Sequence, residues 1–219
     1  MDLLEFARGP ALQVAITVFV FGVIFRIVSL FLMFRTRDAS EGSPRERSAF
    51  MAGLREIVTR LWPRSAYRHR TLFALINGYV MHIGLALVVF FLLPHILFFE
   101  GLIGFSWPSL PNNVIFGVAV VTIASMIAAL VIRVSNPVQR IISTFDDYFS
   151  WFVTFLPLVT GVVATSHLGA RYETLLAIHI LSVALLLIWM PFGKLMHFFL
   201  VFVTRSQTGA QLSHRGAQQ

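Results

Sequence analysis

Residues 177–198 read AIHILSVALLLIWMPFGKLMHF. This stretch is almost wholly apolar and long enough to meet the requirement of about 20 residues for a membrane-spanning helix. It therefore predicts a span, yet it also carries His179, Lys194 and His197. Ionisable side chains are costly in hydrocarbon, so a histidine near each end of a span indicates a functional site.

The composition of the whole chain agrees with a membrane protein. Its 219 residues are 57% hydrophobic and 12% charged, with a mean hydropathy of +0.80, whereas soluble domains have about 45–50% apolar and about 25% charged residues. Long unbroken apolar runs favour helices over the alternating strands of a barrel. We expect an all-α integral membrane protein with a five-helix domain over residues 1–203 and a polar tail over 204–219. The predicted spans are about 10–34, 71–99, 112–132, 148–166 and 173–203.

The distribution of arginines predicts the orientation. The loop 35–70 carries nine of them, whereas the opposite side has only Arg8 and Arg171. The positive-inside rule then places the N-terminus outside and the C-terminus in the cytoplasm. We expect a multi-pass protein of a bacterial or archaeal cytoplasmic (inner) membrane, whose positive charge attracts anionic lipid rather than nucleic acid.

Within the basic loop, SAFMAGLREIVTRLW (48–62) has apolar residues at the spacing of one helical face. Two interpretations stay open for this segment. It could lie on the inner leaflet, or it could dock a partner protein.

Four of the seven histidines fall in two predicted spans, His82 and His95 in the second and His179 and His197 in the fifth. His179 and His197 are 18 residues apart, which is five turns, or about 27 Å, of an ideal helix. Since the second span runs antiparallel to the fifth, His82 would face His197 at the inner side and His95 would face His179 at the outer side. Two facing imidazoles can bind one haem iron on its two axial sides.

His95 is the difficult member of this arrangement. It is 13 residues from His82, which puts the two about 140° apart around an ideal helix. Pro94 immediately precedes it, and a proline inside a helix kinks the chain, so it could re-aim His95. The alternative is that one pair alone binds haem and that His95 is bonded to backbone or water.

VMHIGLALVVFFLLPH (80–95) and IHILSVALLLIWMPFGKLMH (178–197) together resemble the gamma subunit of respiratory nitrate reductase and related cytochrome b subunits of sulfite-reduction-associated and other quinone-linked complexes. The resemblance covers most of the chain. It implies a dihaem cytochrome b in which His82 and His197 bind the inner haem and His95 and His179 bind the outer haem. The chain departs from that family in the wider spacing of His82 and His95, and SWPSLPNN (106–113) has no lysine to match one associated with quinol binding.

Other polar residues are candidates for supporting roles. Cations near the inner interface could pair with haem propionates or simply extend to the interface; they are Arg26, Arg133 and Lys194. Asp146 and Asp147 start the fourth span, where we expect a structural role. A quinone pocket at the outer side could use Glu100, Trp107, Asn112, Arg171, Tyr172 and Glu173, although Glu173 could equally cap a helix and the aromatic residues could belong to the interface belt.

These features and the resemblance predict a membrane cytochrome b subunit with two b-type haems. The resemblance implies that it transfers electrons between the quinone pool and a cytoplasmic iron–sulfur subunit of a respiratory oxidoreductase that also has a catalytic subunit. The resemblance favours quinol oxidation near the outer face. The chain has no cysteine, so a thiolate-bound cluster would have to lie in the partner. Two alternatives are a membrane anchor with one haem or none, and a transporter whose histidines relay protons or ions.

Overall fold

The computed structural model describes residues 2–33, 40–44, 48–63, 65–166 and 169–217, and the described residues form helices and no strand. Five helical stretches are long and apolar enough to cross a membrane, which confirms the all-α membrane fold. Arg35, Arg37, Arg45, Arg47 and Arg64 of the basic loop lie outside the described residues. The helices are α1 (Leu3–Phe6), α2 (Leu12–Leu32), α3 (Ala49–Thr59), α4 (Arg68–Phe91), α5 (Leu93–Ile103), α6 (Asn112–Ser135), α7 (Pro137–Ile142), α8 (Phe145–Ser166), α9 (Tyr172–Trp189) and α10 (His197–His214).

The first span starts earlier than the predicted residue 10. α1 is capped by the carboxylate of Asp2, and a π-helical turn over Ala7–Ala11 joins it to α2, with Pro10 inside that turn. The wider turn accommodates a residue that cannot donate a backbone hydrogen bond. The apolar stretch therefore runs from Leu3 to Leu32.

The spanning helices form two packed groups. α4 packs on α6, while α9 packs on α8 and α2, and α6 also contacts α8. Small and polar residues hold α4 to α6: the amide of Asn77 donates to the carbonyl of Ser125 at 3.0 Å, and a Cβ on Gly84 would overlap the hydroxyl of Thr122. In the described part of the chain α4 and α9 have no extensive contact with each other. α4 and α9 are therefore linked chiefly through the contact between α6 and α8.

The second span is interrupted at Leu92, two residues before Pro94. Leu92 is extended, with φ −79° and ψ 127°, and α5 starts at Leu93 with Pro94 in its first turn. Pro94 cannot donate to the carbonyl of Phe90, which instead accepts from Nε1 of Trp107 at 2.5 Å. The carbonyl of Phe91 accepts from the backbone N–H of Leu110 at 3.0 Å. The two carbonyls at the break are therefore hydrogen-bonded by the segment 106–113, which contains the quinone candidate Trp107.

The fifth predicted span is wrong as a single helix over 173–203. α9 ends at Trp189, a 3₁₀ turn spans Lys194–Met196, and α10 starts at His197. Pro191 and Gly193 interrupt the backbone ladder, and Asp146 accepts two 3.1 Å bonds from the N–H of Lys194. His179 and His197 therefore do not lie five turns apart on one continuous helix, as the sequence predicted.

The predicted polar tail is helical as far as His214 and packs on α3. The helix predicted within the basic loop is confirmed as α3. Its small residues, rather than its large apolar ones, face α10, because Ala52 and Gly53 are buried.

Candidate cofactor site

The structure brings together the two histidine pairs that the sequence predicted. The ring centres of His82 and His197 are 6.0 Å apart, and those of His95 and His179 are 6.1 Å apart. A metal–imidazole bond is about 2.0–2.1 Å long, so, with each ring centre ~1.1 Å behind its nitrogen, two rings on opposite sides of one ion have centres about 6.3 Å apart. Both separations fit one metal ion between the rings.

The hydrogen bonds found for these four rings involve Nδ1. Nδ1 of His82 is 2.7 Å from the carbonyl of Gly78, and Nδ1 of His197 is 2.8 Å from the carbonyl of Lys194. A metal-binding histidine usually donates its other ring N–H to an oxygen, which sets the tautomer and the direction of the ring. These contacts leave Nε2 as the ring atom that could bind a metal ion.

The rings of the 95/179 pair contact groups that are more distant along the chain. Nδ1 of His95 is 3.0 Å from the carbonyl of Val88, across the break between α4 and α5. Nδ1 of His179 is 3.2 Å from the hydroxyl of Thr160 on α8. That hydroxyl also lies 3.0 Å from Oγ of Ser182. The break does re-aim His95, as the position of Pro94 suggested.

Gly161 allows α8 to approach the ring of His179. A Cβ at this position would lie 3.1 Å from Cε1 of that ring, closer than ordinary van der Waals contact. Neither Thr160 nor Gly161 is among the site residues predicted from the sequence. A hydroxyl within the apolar fourth span was the available signal, since polar side chains in a bilayer need partners.

The number of side chains at each pair bears on which metal centre could bind there. Among the described residues no group of three or more His, Cys, Asp or Glu side chains could hold a metal, whereas zinc sites use three or four protein ligands. Haem iron receives four nitrogens from the porphyrin and needs only two axial ligands. Two-histidine sites fit that requirement.

The predicted propionate partners have different environments. Lys194 and Arg133 both bind Asp147, at 2.5 Å and 3.2 Å. Arg26 is exposed on α2 and has no ion pair among the described residues. Its neighbour one turn earlier, Gly22, packs against Pro191, where an added Cβ would be 2.6 Å from the proline Cβ. Arg26 therefore lies on the side of α2 that faces the start of the 3₁₀ turn.

The candidate quinone residues lie in several separate segments of the chain. Trp107 lines an open groove of about 580 Å³ with Phe90, Phe91 and Pro108, and Glu100 accepts from the hydroxyl of Ser106. The remaining candidates lie at helix starts: Asn112 begins α6, Arg171 precedes α9, and Tyr172 and Glu173 are in its first turn. Arg171 and Glu173 form an exposed 3.6 Å ion pair, and a capping role for Glu173 stays a prediction.

No family model matches the chain, and no solved structure matches it. A protein of Nitratidesulfovibrio vulgaris strain Hildenborough, which bears the name "Protein", is 32% identical over 206 residues, covering 93% of this chain and 91% of the relative. The chain therefore belongs to the same family as this Nitratidesulfovibrio vulgaris protein.

Proposed function

We propose that this chain is a membrane cytochrome b subunit that binds two b-type haems, one at each histidine pair. The observation that carries the proposal is the presence of two imidazole pairs with ring centres 6.0 Å and 6.1 Å apart. Among the described residues the two helices that supply each pair have no extensive contact with one another, which leaves space for a planar group between them. Bound haem supplies one-electron redox chemistry.

The protein residues would hold and orient the cofactors. His82 and His197 would bind one iron through Nε2, and His95 and His179 the other. The bonds from Nδ1 keep the rings in the required tautomer. Arg26 is the unpaired cation best suited to a propionate near His197, while Lys194 and Arg133 are engaged by Asp147.

Electron transfer between a quinone and a cytoplasmic iron–sulfur partner is the physiological role that we propose. The basic loop supports a cytoplasmic position for the end of the bundle that carries His197. The groove lined by Phe90 and Trp107 lies at the break that positions His95, and its apolar walls suit a quinone ring. A chain without cysteine needs a partner for any thiolate-bound cluster.

The decisive experiment is a redox spectrum and a haem quantification of the purified chain. We expect b-type absorption that appears on reduction with dithionite, and two haems per chain. A colourless protein would overturn the proposal and leave the proton-relay transporter or the cofactor-free anchor. One haem per chain would restrict the proposal to a single pair.

A further inference from the structure

α3 has one face that is already occupied by the protein. Ala52, Gly53 and Glu56 are buried against α10. A Cβ on Gly53 would overlap the hydroxyl of Ser206, and a Cβ on Gly209 would lie 2.5 Å from the carbonyl oxygen of Ala52. The absence of side chains at both glycines lets the helices cross closely.

A second face of α3 is apolar and exposed. Phe50, Leu54, Val58 and Leu61 are 75%, 46%, 57% and 52% exposed. Successive residues of a helix are about 100° apart, so Phe50, Leu54 and Val58 fall within an arc of about 80°, and Leu61 follows just beyond the end of α3 at Thr59. We call this set the apolar face of α3. An exposed stripe of large apolar side chains indicates a binding surface.

The contacts of α3 place it at the level of the membrane boundary. It crosses α10 at Ser206 and Gly209, directly after the apolar stretch HFFLVFV (197–203). At its other end, the hydroxyl of Tyr79 donates to the carbonyl of Leu61. Tyr79 is about two turns inside the apolar part of α4, which starts at residue 71. Both neighbours therefore bring α3 to the edge of the hydrocarbon layer.

The charge around α3 is positive. Arg55, Arg68 and Arg70 are exposed and form no ion pair with the described residues, whereas Arg60 is paired with Glu56 at 2.5 Å. The segment 35–70 has nine arginines and four carboxylates. Positive charge beside an apolar stripe complements anionic headgroups above acyl chains.

We propose that α3 is a lipid-binding helix lying in the membrane interface. Its small face packs on α10, its apolar face enters the boundary between headgroups and acyl chains, and the arginines contact anionic headgroups. This resolves the two interpretations of residues 48–62 in favour of lipid. It does not depend on haem binding.

The chain has no cysteine, so single cysteines can be introduced into the full-length protein and spin-labelled. Leu54→Cys reports on the apolar face, and Thr59→Cys is the matched control on the third, exposed face of the same helix. In vesicles of phosphatidylglycerol and phosphatidylcholine, we expect the Leu54 label to be relaxed mainly by oxygen, which dissolves in lipid. The Thr59 label should be relaxed mainly by a water-soluble nickel chelate.

Two results would overturn the proposal. Strong relaxation of both labels by the nickel chelate would place the apolar face in water. Protection of the Leu54 label from both reagents would show that protein covers the face, as in docking to a second copy or a partner. Val58→Cys provides a second position on the apolar face if the Leu54 variant does not fold.

The contribution of anionic lipid is tested with the same labels. Replacing phosphatidylglycerol by phosphatidylcholine alone should increase nickel access to the Leu54 label, and the combined substitution of Arg55, Arg68 and Arg70 by Gln should have the same effect in the mixed vesicles. Unchanged access in both tests would contradict the electrostatic part of the proposal.

Discussion

The two histidine pairs are equally spaced but differently supported. In the 82/197 pair both rings are exposed, and each Nδ1 contacts a carbonyl three or four residues earlier in its own chain segment. In the 95/179 pair the rings are half-buried, and their positions depend on a helix break and on another helix. The first pair is thus oriented by local backbone geometry and the second by tertiary contacts. Substitutions away from the histidines should therefore affect the 95/179 pair more strongly.

The largest effect should come from removing a histidine from either pair. His95→Ala should reduce the haem content from two to one per chain, because one axial ligand of a single site is lost, and His197→Ala should do the same at the other site. The remaining haem identifies the site, since the ring planes of the pairs differ by 81° and 10° and give ferric ions with differently shaped paramagnetic resonance spectra. His69→Ala is the control, as His69 is exposed outside both pairs. Two haems retained in His95→Ala would exclude that residue as a ligand.

The next effect is steric. Gly161→Val should lower the occupancy of the 95/179 site severalfold, because even a Cβ would lie 3.1 Å from Cε1 of His179. The 82/197 site should stay filled, as judged by haem quantification and the resonance spectrum. Gly117→Val, at a helical position with open space around it, is the matched control for the change in helix propensity. Equal losses from both sites would show general unfolding rather than a local clash.

A smaller effect should follow from removing one hydroxyl. With Nε2 on iron, Nδ1 of His179 carries a proton and donates to Thr160. Thr160→Val removes this acceptor, so the imidazole donates less electron density and ferric iron loses stabilisation. The potential of the 95/179 haem should rise by about 20–60 mV, the one-electron equivalent of a 0.5–1.5 kcal/mol hydrogen bond.

Redox titration of both haems tests this expectation for Thr160. Thr160→Ser should restore the original potential because it keeps the hydroxyl. Thr154→Val is the control, since the Thr154 hydroxyl donates to the carbonyl of Ser150 and contacts no histidine. A fall in potential, or an equal shift at both haems, would contradict the assigned hydrogen bond.

The difference between the pairs also explains what the sequence could predict. Apolar runs and their breakers indicate spans, and four histidines in two antiparallel spans indicate the pairing, because these are properties of local composition and order. The support from Thr160 and Gly161 arises from the approach of α8 to α9, which no local pattern specifies. The positions of Arg133 and Lys194 on Asp147 likewise depend on how the helix ends meet. The separation of His179 and His197 differs from that in an ideal helix, because the break at Pro191 changes both the rise and the direction of the chain.

The smallest effect concerns the break that directs His95. Trp107→Phe keeps an aromatic ring but removes the N–H that the Phe90 carbonyl accepts, at a cost of about 0.5–1.5 kcal/mol. We expect the 95/179 haem to dissociate at a lower temperature, as followed by absorbance during heating, while the 82/197 haem is unchanged. Trp62→Phe, which alters an exposed indole in the segment that follows α3, should change neither. If Trp107→Phe lowers both dissociation temperatures equally, the indole stabilises the bundle as a whole, and the dependence of His95 on the break must rest on Pro94 and the backbone bond from Leu110.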